Sequence, residues 1–177
     1  MLSPCHLFQL QFPENGSFAI ALARACHEQG LNVCVDTSGY APGDAFREMA
    51  QWADTFLFDI KETDPILHRQ YTGVDMQLIH DNLRLLDGLG KQLRLRCPII
   101  PGLNDREEHL RGIAALAESL QQTHPIDVIP YHPLGEKKLD WLDEVHTMQV
   151  QSFPEKEEVD GWIACIAAHT RCPVQHA

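Results

Sequence analysis

The stretch that indicates the fold most clearly is Ile126-Asp127-Val128-Ile129-Pro130-Tyr131-His132-Pro133-Leu134-Gly135. An apolar run of the kind found in a buried parallel strand ends there in a prolyl break, and an imidazole follows. Ligands of parallel α/β sheets bind at the carboxyl ends of the strands. The stretch therefore predicts a parallel strand over residues 126–129 that leads into a site at His132.

Three earlier segments repeat this arrangement, because each is a short apolar run that ends in polar side chains. The runs cover residues 31–35, 55–58 and 91–100, and their polar groups are Asp36-Thr37-Ser38-Gly39, Asp59-Ile60-Lys61 and Arg96-Cys97-Pro98. Helical patterns separate the runs. Strands that alternate with helices predict right-handed βαβ units, a parallel sheet and a site where the strand ends converge.

The helices are predicted from apolar periodicity and from capping residues. They cover residues 18–29 after a Ser17 cap, 44–52 after Asp44, 75–89, 104–122 after a capping box of Asn104 and Glu107, and a last helix after a box of Ser152 and Glu155. The first helix is expected to bury Phe18, Ala21, Leu22, Ala25 and Cys26. Residues 62–74 are interpreted as turns, 7–12 as an edge strand, and 135–150 as a loop over the site.

Composition limits the possible functions. The 177 residues are most simply one domain, with an atypical segment at 1–16, a partial barrel at 17–142 and a terminal loop and helix at 143–177. A formal charge of −11 disfavours binding to nucleic acid or to an anionic membrane. With no long apolar run and no signal-peptide pattern, we expect a cytoplasmic chain. The six cysteines have no Cys-x-x-Cys spacing and are interpreted as buried apolar residues.

The polar strand ends allow several kinds of chemistry. Asp36 and Asp59 could share a cation with the Thr37 hydroxyl, or Asp36 and Ser38 could simply bond turn amides. Lys61 and Arg96, together with His132, could hold a carboxylate or a phosphate, although lysine and arginine side chains at strand ends are commonly solvated. Strand alternation puts Arg94 on the same face as Arg96, so either arginine could be the functional one.

Histidine roles also stay open at this point. His132 could be a general base, a platform for a heteroaromatic ring or a half-buried structural residue. The other nine histidines, among them His6, His27, His68 and His124, have no ligand spacing and are expected at the surface.

Seven motifs, in order along residues 17–142, resemble those of the glycyl-radical-enzyme activating enzymes, the radical S-adenosylmethionine (SAM) family that includes pyruvate formate-lyase activating enzyme. The matching stretches are Val35-Asp36-Thr37-Ser38-Gly39, Phe58-Asp59-Ile60-Lys61, His68 with Tyr71-Thr72-Gly73-Val74, Asn82-Leu83-Arg84, Gly90-Lys91 with Arg94-Leu95-Arg96, Pro98 to Asp105, and Pro130 to Gly135. Several motifs in one order make the resemblance specific.

The resemblance implies the C-terminal portion of a radical SAM (β/α)6 fold, a partial TIM-like barrel. Family members use a [4Fe-4S] cluster to cleave SAM, and the resulting 5′-deoxyadenosyl radical takes hydrogen from a glycine of a partner glycyl radical enzyme. By the same resemblance, Asp36, Thr37 and Asp59 would bind a monovalent cation, and Ser38 would lie in the cofactor site. Lys61 and Arg96 would contact the cofactor and the incoming glycine loop, and His132 would face the adenine.

The sequence departs from the family at its beginning. It has neither the Cys-x-x-x-Cys-x-x-Cys motif that ligates the cluster nor the glycine-rich segment after it, and the helix after Ser17 resembles the one that follows that segment. We therefore expect an N-terminally truncated activase that is inactive alone. The alternatives are a module that binds an adenosyl ligand or the partner without chemistry, and a barrel that uses Lys61 as a Schiff-base amine.

A truncated barrel has an unpaired strand edge. The edge beside residues 31–35 would be exposed, and unpaired edges favour association with another chain. We therefore expect homo-oligomers, with the strand at 7–12 partly covering the gap.

Overall fold

The computed structural model describes residues 5–7 as backbone only, and residues 16–132 and 153–177 in full. Its strands are β1 (Cys5–Leu7), β2 (Val33–Thr37), β3 (Thr55–Asp59), β4 (Gln92–Ile99), β5 (Ile126–Pro130) and β6 (Val174–His176). Its helices are α1 (Gly16–Glu28), α2 (Gly43–Met49), α3 (Pro65–Thr72), α4 (Gln77–Gly88), α5 (Glu107–Glu118) and α6 (Lys156–Ala167).

The described strands form one sheet in the order β1-β2-β3-β4-β5-β6, and every neighbouring pair is parallel. Sequential parallel strands joined by helices are the winding of a (β/α) barrel. The predicted α/β partial barrel is therefore confirmed. One boundary was wrong, because β2 continues through Asp36 and Thr37, which pair with Leu57 and Phe58. These two polar residues belong to the strand end and not to a turn after it.

The core lies between the helices and one face of the sheet. Along β4, Leu93, Leu95, Cys97 and Ile99 are buried, while the alternate residues are only half-buried. An aromatic layer fixes α2 on the sheet, since the ring of Phe46 lies 6.4 Å from that of Phe56 and 6.5 Å from that of Phe58. The helices thus cover one face of the central strands and leave the other face accessible.

The predicted buried face of α1 is wrong. The helix buries Ala19, Ile20 and Ala23, whereas Phe18 and Leu22 are 68% and 40% exposed. The first two turns are apolar on every side, so periodicity does not select a face. Small side chains at the contact let the helix approach the sheet closely, which is consistent with the alanines that face it.

Four predicted helix starts need correction. Helix α1 already includes Gly16, so Ser17 lies inside it, and Pro42 rather than Asp44 precedes α2. Arg106 precedes α5, because the Asn104 side chain bonds elsewhere. Before α6 the capping box consists of Glu155 and Glu158, while Ser152 lies outside the described residues.

Helix α3 and strand β6 were not predicted. Asp64 accepts hydrogen bonds from the amides of Ile66 and Leu67, Pro65 occupies the first turn, and Gly73 ends the helix at φ 78°. This is a regular set of start and stop signals, but the helix has only 8 residues and one buried side chain. β6 has only 3 residues, too few for an alternation to be read from sequence.

The chain termini affect the sheet edge. Cys5–Leu7 pairs with Val33–Val35, so β1 covers the β2 edge that was predicted to be open. The predicted strand at 7–12 falls mainly, and the loop at 135–150 entirely, outside the described residues. No helix in the described ranges has both the length and the apolar character needed to cross a bilayer.

Replacing Gly39 with alanine should destabilise the fold. Gly39 has φ +78°, and a Cβ there would lie 2.3 Å from the Phe58 ring and 2.9 Å from Ile79. We expect a loss of about 2–4 kcal/mol in the free energy of unfolding, measured in urea. Gly73→Ala is the matched control, since Gly73 has the same φ but no atom within 4 Å of the added Cβ. Equal losses in the two variants would show that the contact with Phe58 is unimportant.

Candidate functional site

The accessible face of the sheet carries the predicted site residues. On β2, β3 and β4 the residues Asp36, Asp59, Arg94 and Arg96 alternate with the buried core residues. The register places Asp59 opposite Arg96, and Arg96 opposite Asp127 of β5. Three neighbouring strands thus bring opposite charges together at their carboxyl ends. Of the four strand ends predicted to converge, three come together and bring Asp36, Asp59, Lys61 and Arg96 close to one another, whereas His132 lies apart from them.

Arg96 forms an ion pair with Asp36 across the intervening strand β3. Both side chains are more than a quarter exposed, so water and ligands can reach the pair. A guanidinium has further N–H donors in a planar fork and can bind a second anionic group while it retains the first. The pair can therefore form one wall of a site for a carboxylate or a phosphate.

Asp59 and Lys61 form a looser pair. Lys61 Nζ lies 3.9 Å from Asp59 Oδ2, and the lysine side chain is 42% exposed while that of Asp59 is 15% exposed. Burial raises the pKa of Asp59, and Lys61 and Arg96 oppose that rise. Because its ammonium is accessible and weakly held, Lys61 is free to contact an anionic ligand.

Arg94 is held more rigidly than Arg96. Its Nε and Nη2 donate to the two carboxylate oxygens of Asp127 at 2.7 and 2.6 Å. The Asp127 side chain is 8% exposed, and its hydrogen bond raises the pKa of Arg94 above the ordinary value. A bidentate pair of this kind fixes geometry. Both arginines lie on the accessible face, but Arg94 uses two N–H donors on Asp127, whereas Arg96 uses one on Asp36 and keeps more donors for a ligand.

The residues at the end of β2 are fixed by two hydrogen-bonded groups. Thr37 is buried, and its hydroxyl oxygen accepts from the Gly39 amide at 3.0 Å. The buried amide of Asn82 donates to the carbonyls of Gly39 and Ala41 at 2.9 and 2.8 Å. Ser38, between them, is half-buried. A side chain of this segment therefore binds a turn amide, as one of the alternatives predicted, but that side chain is Thr37 and not Asp36 or Ser38.

His132 is placed apart from the other predicted residues. It is exposed, and its ring lies edge-on to Phe153 with centroids 5.0 Å apart. Both residues line a cavity of about 680 Å³ that also includes Val159 of α6 and His176 of β6. None of the four charged residues Asp36, Asp59, Lys61 and Arg96 lines this cavity. The adenine-facing role of His132 stays a prediction.

The described residues do not offer a ligand set for an iron–sulfur cluster. Their free cysteines are Cys26, Cys34, Cys97, Cys165 and Cys172, and no three His, Cys, Asp or Glu side chains of the described ranges are grouped to hold a metal. Burial raises the pKa of Cys97, which keeps this thiol protonated. The cation site predicted at Asp36, Thr37 and Asp59 stays a prediction, and Arg96 already neutralises Asp36.

Known proteins match this chain over most of its length. Choline trimethylamine-lyase activating enzyme from Oleidesulfovibrio alaskensis is 34% identical over 154 residues, which cover 84% of this chain and 49% of the relative. Pyruvate formate-lyase-activating enzyme from Clostridium pasteurianum is 28% identical and covers 80% of this chain and 59% of its own. No family model matches.

The chain belongs to the glycyl-radical-enzyme activating enzyme family. It spans about half the length of the curated relatives it matches. A solved domain of pyruvate-formate lyase-activating enzyme from Bacteroides vulgatus has the same fold, with a TM-score of 0.77 at 22% identity over 96% of this chain and 97% of that domain. A radical SAM methyltransferase from Sphaerobacter thermophilus matches with a TM-score of 0.68 and 16% identity, covering 93% of this chain and 47% of the methyltransferase.

A buried polar network beside the charged face was missed from sequence. Glu62 follows Lys61 and is fully buried, with its carboxylate bound by the Thr63 and Asp64 amides and by Arg106 at 2.8 Å. Burial disfavours its ionisation, but Arg106 and the backbone amides hold the pKa of Glu62 below its ordinary value. Arg106 also precedes α5, so the network joins the end of β3 to that helix.

His109 completes this network. Its Nδ1 lies 3.1 Å from the Thr63 amide nitrogen and 3.0 Å from the Thr63 hydroxyl, while its buried Nε2 has no hydrogen-bond partner among the described residues. Burial lowers the pKa of His109 to about 4, although the Glu62 carboxylate 3.2 Å away opposes the shift. A histidine inside the apolar stripe of α5 was the available signal, since such a position must be buried and bonded.

Two other histidines are also buried, contrary to the surface prediction. His68 contacts the carbonyl of Val74 at 3.1 Å, and His124 contacts Asp87 at 2.9 Å. Asp87 in turn accepts from two backbone amides after α5, which joins α4 to the turn before β5. His27 is exposed as expected. His68 lies in helix α3, which was not predicted, and the partner of His124 is 37 residues away in the sequence. Neither burial therefore follows from local spacing.

The burial of His109 predicts a pH dependence of stability. The unfolded chain binds a proton at this histidine below about pH 6.5, whereas the folded chain does so only near pH 4. The free energy of unfolding should therefore fall as the pH is lowered from 6.5 to 4, by up to about 1.4 kcal/mol per pH unit from this group. His109→Gln should flatten the profile measured by urea unfolding. His27→Gln, at an exposed position, is the control, and an unchanged slope in His109→Gln would contradict the assignment.

Proposed function

We propose that this chain contributes the C-terminal part of the SAM site of a radical SAM activating enzyme. The observation that supports this most strongly is the convergence of Asp36, Asp59, Lys61 and Arg96 on one accessible face, in a chain 34% identical to an activating enzyme over 84% of its length. The accessible cations suit the carboxylate of the methionyl group. The relatives are named for activating choline trimethylamine-lyase and pyruvate formate-lyase, and the proposed partner is accordingly a glycyl radical enzyme.

We further propose that the chain alone does not cleave SAM. Reductive cleavage needs a [4Fe-4S] cluster, and the described part of the chain groups no three suitable ligands. The residues described here would then bind and orient the methionyl end of the cofactor, and Asp36, Thr37 and Asp59 would hold a monovalent cation beside it. The full activity, classed as that of a [formate-C-acetyltransferase]-activating enzyme, would require cluster ligands from elsewhere.

The second candidate is a binding module for an adenosyl ligand or for the partner enzyme. The same charged face supports it, since binding needs no cluster. An aldolase-like use of Lys61 has less support, because a Schiff-base lysine needs a desolvated site or a cationic neighbour, whereas the Lys61 side chain is 42% exposed and lies 3.9 Å from the Asp59 carboxylate. That the chain forms a single domain stays a proposal. Self-association also stays a proposal, although β1 covers the edge of β2 that was predicted to be open.

Calorimetry with S-adenosylhomocysteine tests the proposed site. The wild-type chain should bind, and Lys61→Ala and Arg96→Ala should each weaken the affinity by about ten-fold because each removes an accessible cation. Arg84→Ala on α4 is the control, since Arg84 is exposed and forms only a 3.8 Å pair with Asp81. His132→Ala belongs in the same series, and binding equal to wild type would remove His132 from the site. If Arg84→Ala weakened binding as much as the site variants, a general charge effect would replace the specific site.

Anaerobic reconstitution with iron and sulfide tests the proposal that the chain by itself does not cleave SAM. The expected result is no stoichiometric [4Fe-4S] absorption, because the described cysteines are scattered. A family member that carries Cys-x-x-x-Cys-x-x-Cys serves as the positive control. One cluster per chain, stable to gel filtration, would overturn the proposal.

A further inference from the structure

Two buried asparagines hold the loops that follow the site strands. Asn82 and Asn104 are 2% and 3% exposed. The side-chain amide nitrogen of each donates to two backbone carbonyls. The two acceptors of Asn82 are 43 and 41 residues away in the sequence, and those of Asn104 are 43 and 6 residues away. An asparagine amide carries two N–H donors, so each nitrogen has both its hydrogens engaged.

Asn104 joins the two strands that carry the accessible cations. Its Nδ2 donates to the carbonyls of Lys61 at 2.9 Å and Pro98 at 2.8 Å, and its Oδ1 accepts from the Ile100 amide at 2.7 Å. The backbone ladder between these strands ends close by, where the Ile60 amide donates to the Arg96 carbonyl at 2.8 Å. Asn104 therefore continues the connection between the ends of β3 and β4 where the two backbones separate.

We infer that Asn104 is a positioning residue, which fixes the end of β3 at Lys61 against the end of β4 beyond Arg96. A buried amide with three satisfied bonds allows one arrangement of the segments it joins, because any shift leaves a desolvated polar group unpaired. The two cations belong to adjacent strands, so their spacing depends on this connection. The ligand-binding consequence rests on the proposed function, whereas the effect on the strand ends does not.

Asn82 provides an internal comparison of the same chemistry. It ties down Gly39 and Ala41 after β2 and has no hydrogen bond to β3 or β4 among the described residues. Loss of either asparagine removes a buried amide and should cost similar stability. Only loss of Asn104 should release the ends of β3 and β4.

The experiment compares Asn104→Ala, Asn104→Asp and Asn82→Ala in the full chain by amide hydrogen exchange, with urea unfolding to match global stability. The Ile60 amide is the reporter, since it donates to the Arg96 carbonyl. Both Asn104 variants should raise its exchange rate by about ten-fold relative to Asn82→Ala. The aspartate is nearly isosteric and keeps the acceptor for Ile100 but loses both donors, so Ile100 should stay protected in Asn104→Asp and in Asn82→Ala but not in Asn104→Ala. If Asn104→Ala does not fold, Asn104→Asp decides the comparison.

The second readout is the affinity for S-adenosylhomocysteine. Both Asn104 variants should weaken it about ten-fold, and Asn82→Ala by less. Equal Ile60 exchange in Asn104 and Asn82 variants of matched stability would overturn the positioning role. If the wild-type chain binds no S-adenosylhomocysteine, the proposed function fails, and the exchange data still decide the role of Asn104.

Discussion

The structure depends on one constraint, which is that the sheet between β2 and β5 is covered by helices on a single face. Side chains alternate along a strand, so each strand must supply apolar residues to the core and polar residues to the accessible face. Along β4 this gives Leu93 and Leu95 to the core and Arg94 and Arg96 to the other face. Charges on that face must be paired, and Asp36 and Asp127 pair with the two arginines. The site therefore results from the same alternation that forms the core.

Charge on this face is locally balanced although the chain carries −11 overall. Arg94 is bound by both oxygens of Asp127, whereas Arg96 is bound by one oxygen of Asp36 and Lys61 lies 3.9 Å from Asp59. Tightly bonded pairs maintain structure, and loosely bonded cations remain able to bind an anionic group. The gradient from Arg94 to Lys61 separates the part of the face that supports the fold from the part that can recognise a ligand.

The sequence predicted most of the sheet but fewer of the contacts on which the site depends. Buried strands and the stripes of α4 and α5 follow from periodicity, and the order of strand ends along the chain gave Asp36, Asp59, Lys61 and Arg96. The predicted helix cap was wrong where the polar side chain bonds elsewhere, as Asn104 does with the carbonyls of Lys61 and Pro98. Local signals cannot distinguish a helix cap from such a bond, because both need only a short polar side chain. The apolar stripe of α5 indicated that His109 is buried, but it did not reveal the partner Thr63, which is 46 residues away in the sequence.

His132 shows how far alternation alone can be applied at a strand end. Ile126 and Val128 face the core, and Asp127 faces the accessible side with Arg94. If the backbone stays extended, every second residue after Val128 points to the same side of the sheet as Val128. His132 is such a residue, and its ring lies against Phe153. This alternation can be counted from the sequence, and it places His132 on the other side of the sheet from Lys61 and Arg96. To reach an adenosyl group on the charged face, the backbone after Pro130 would have to depart from the extended conformation, and residues 131 and 132 are where that change would occur.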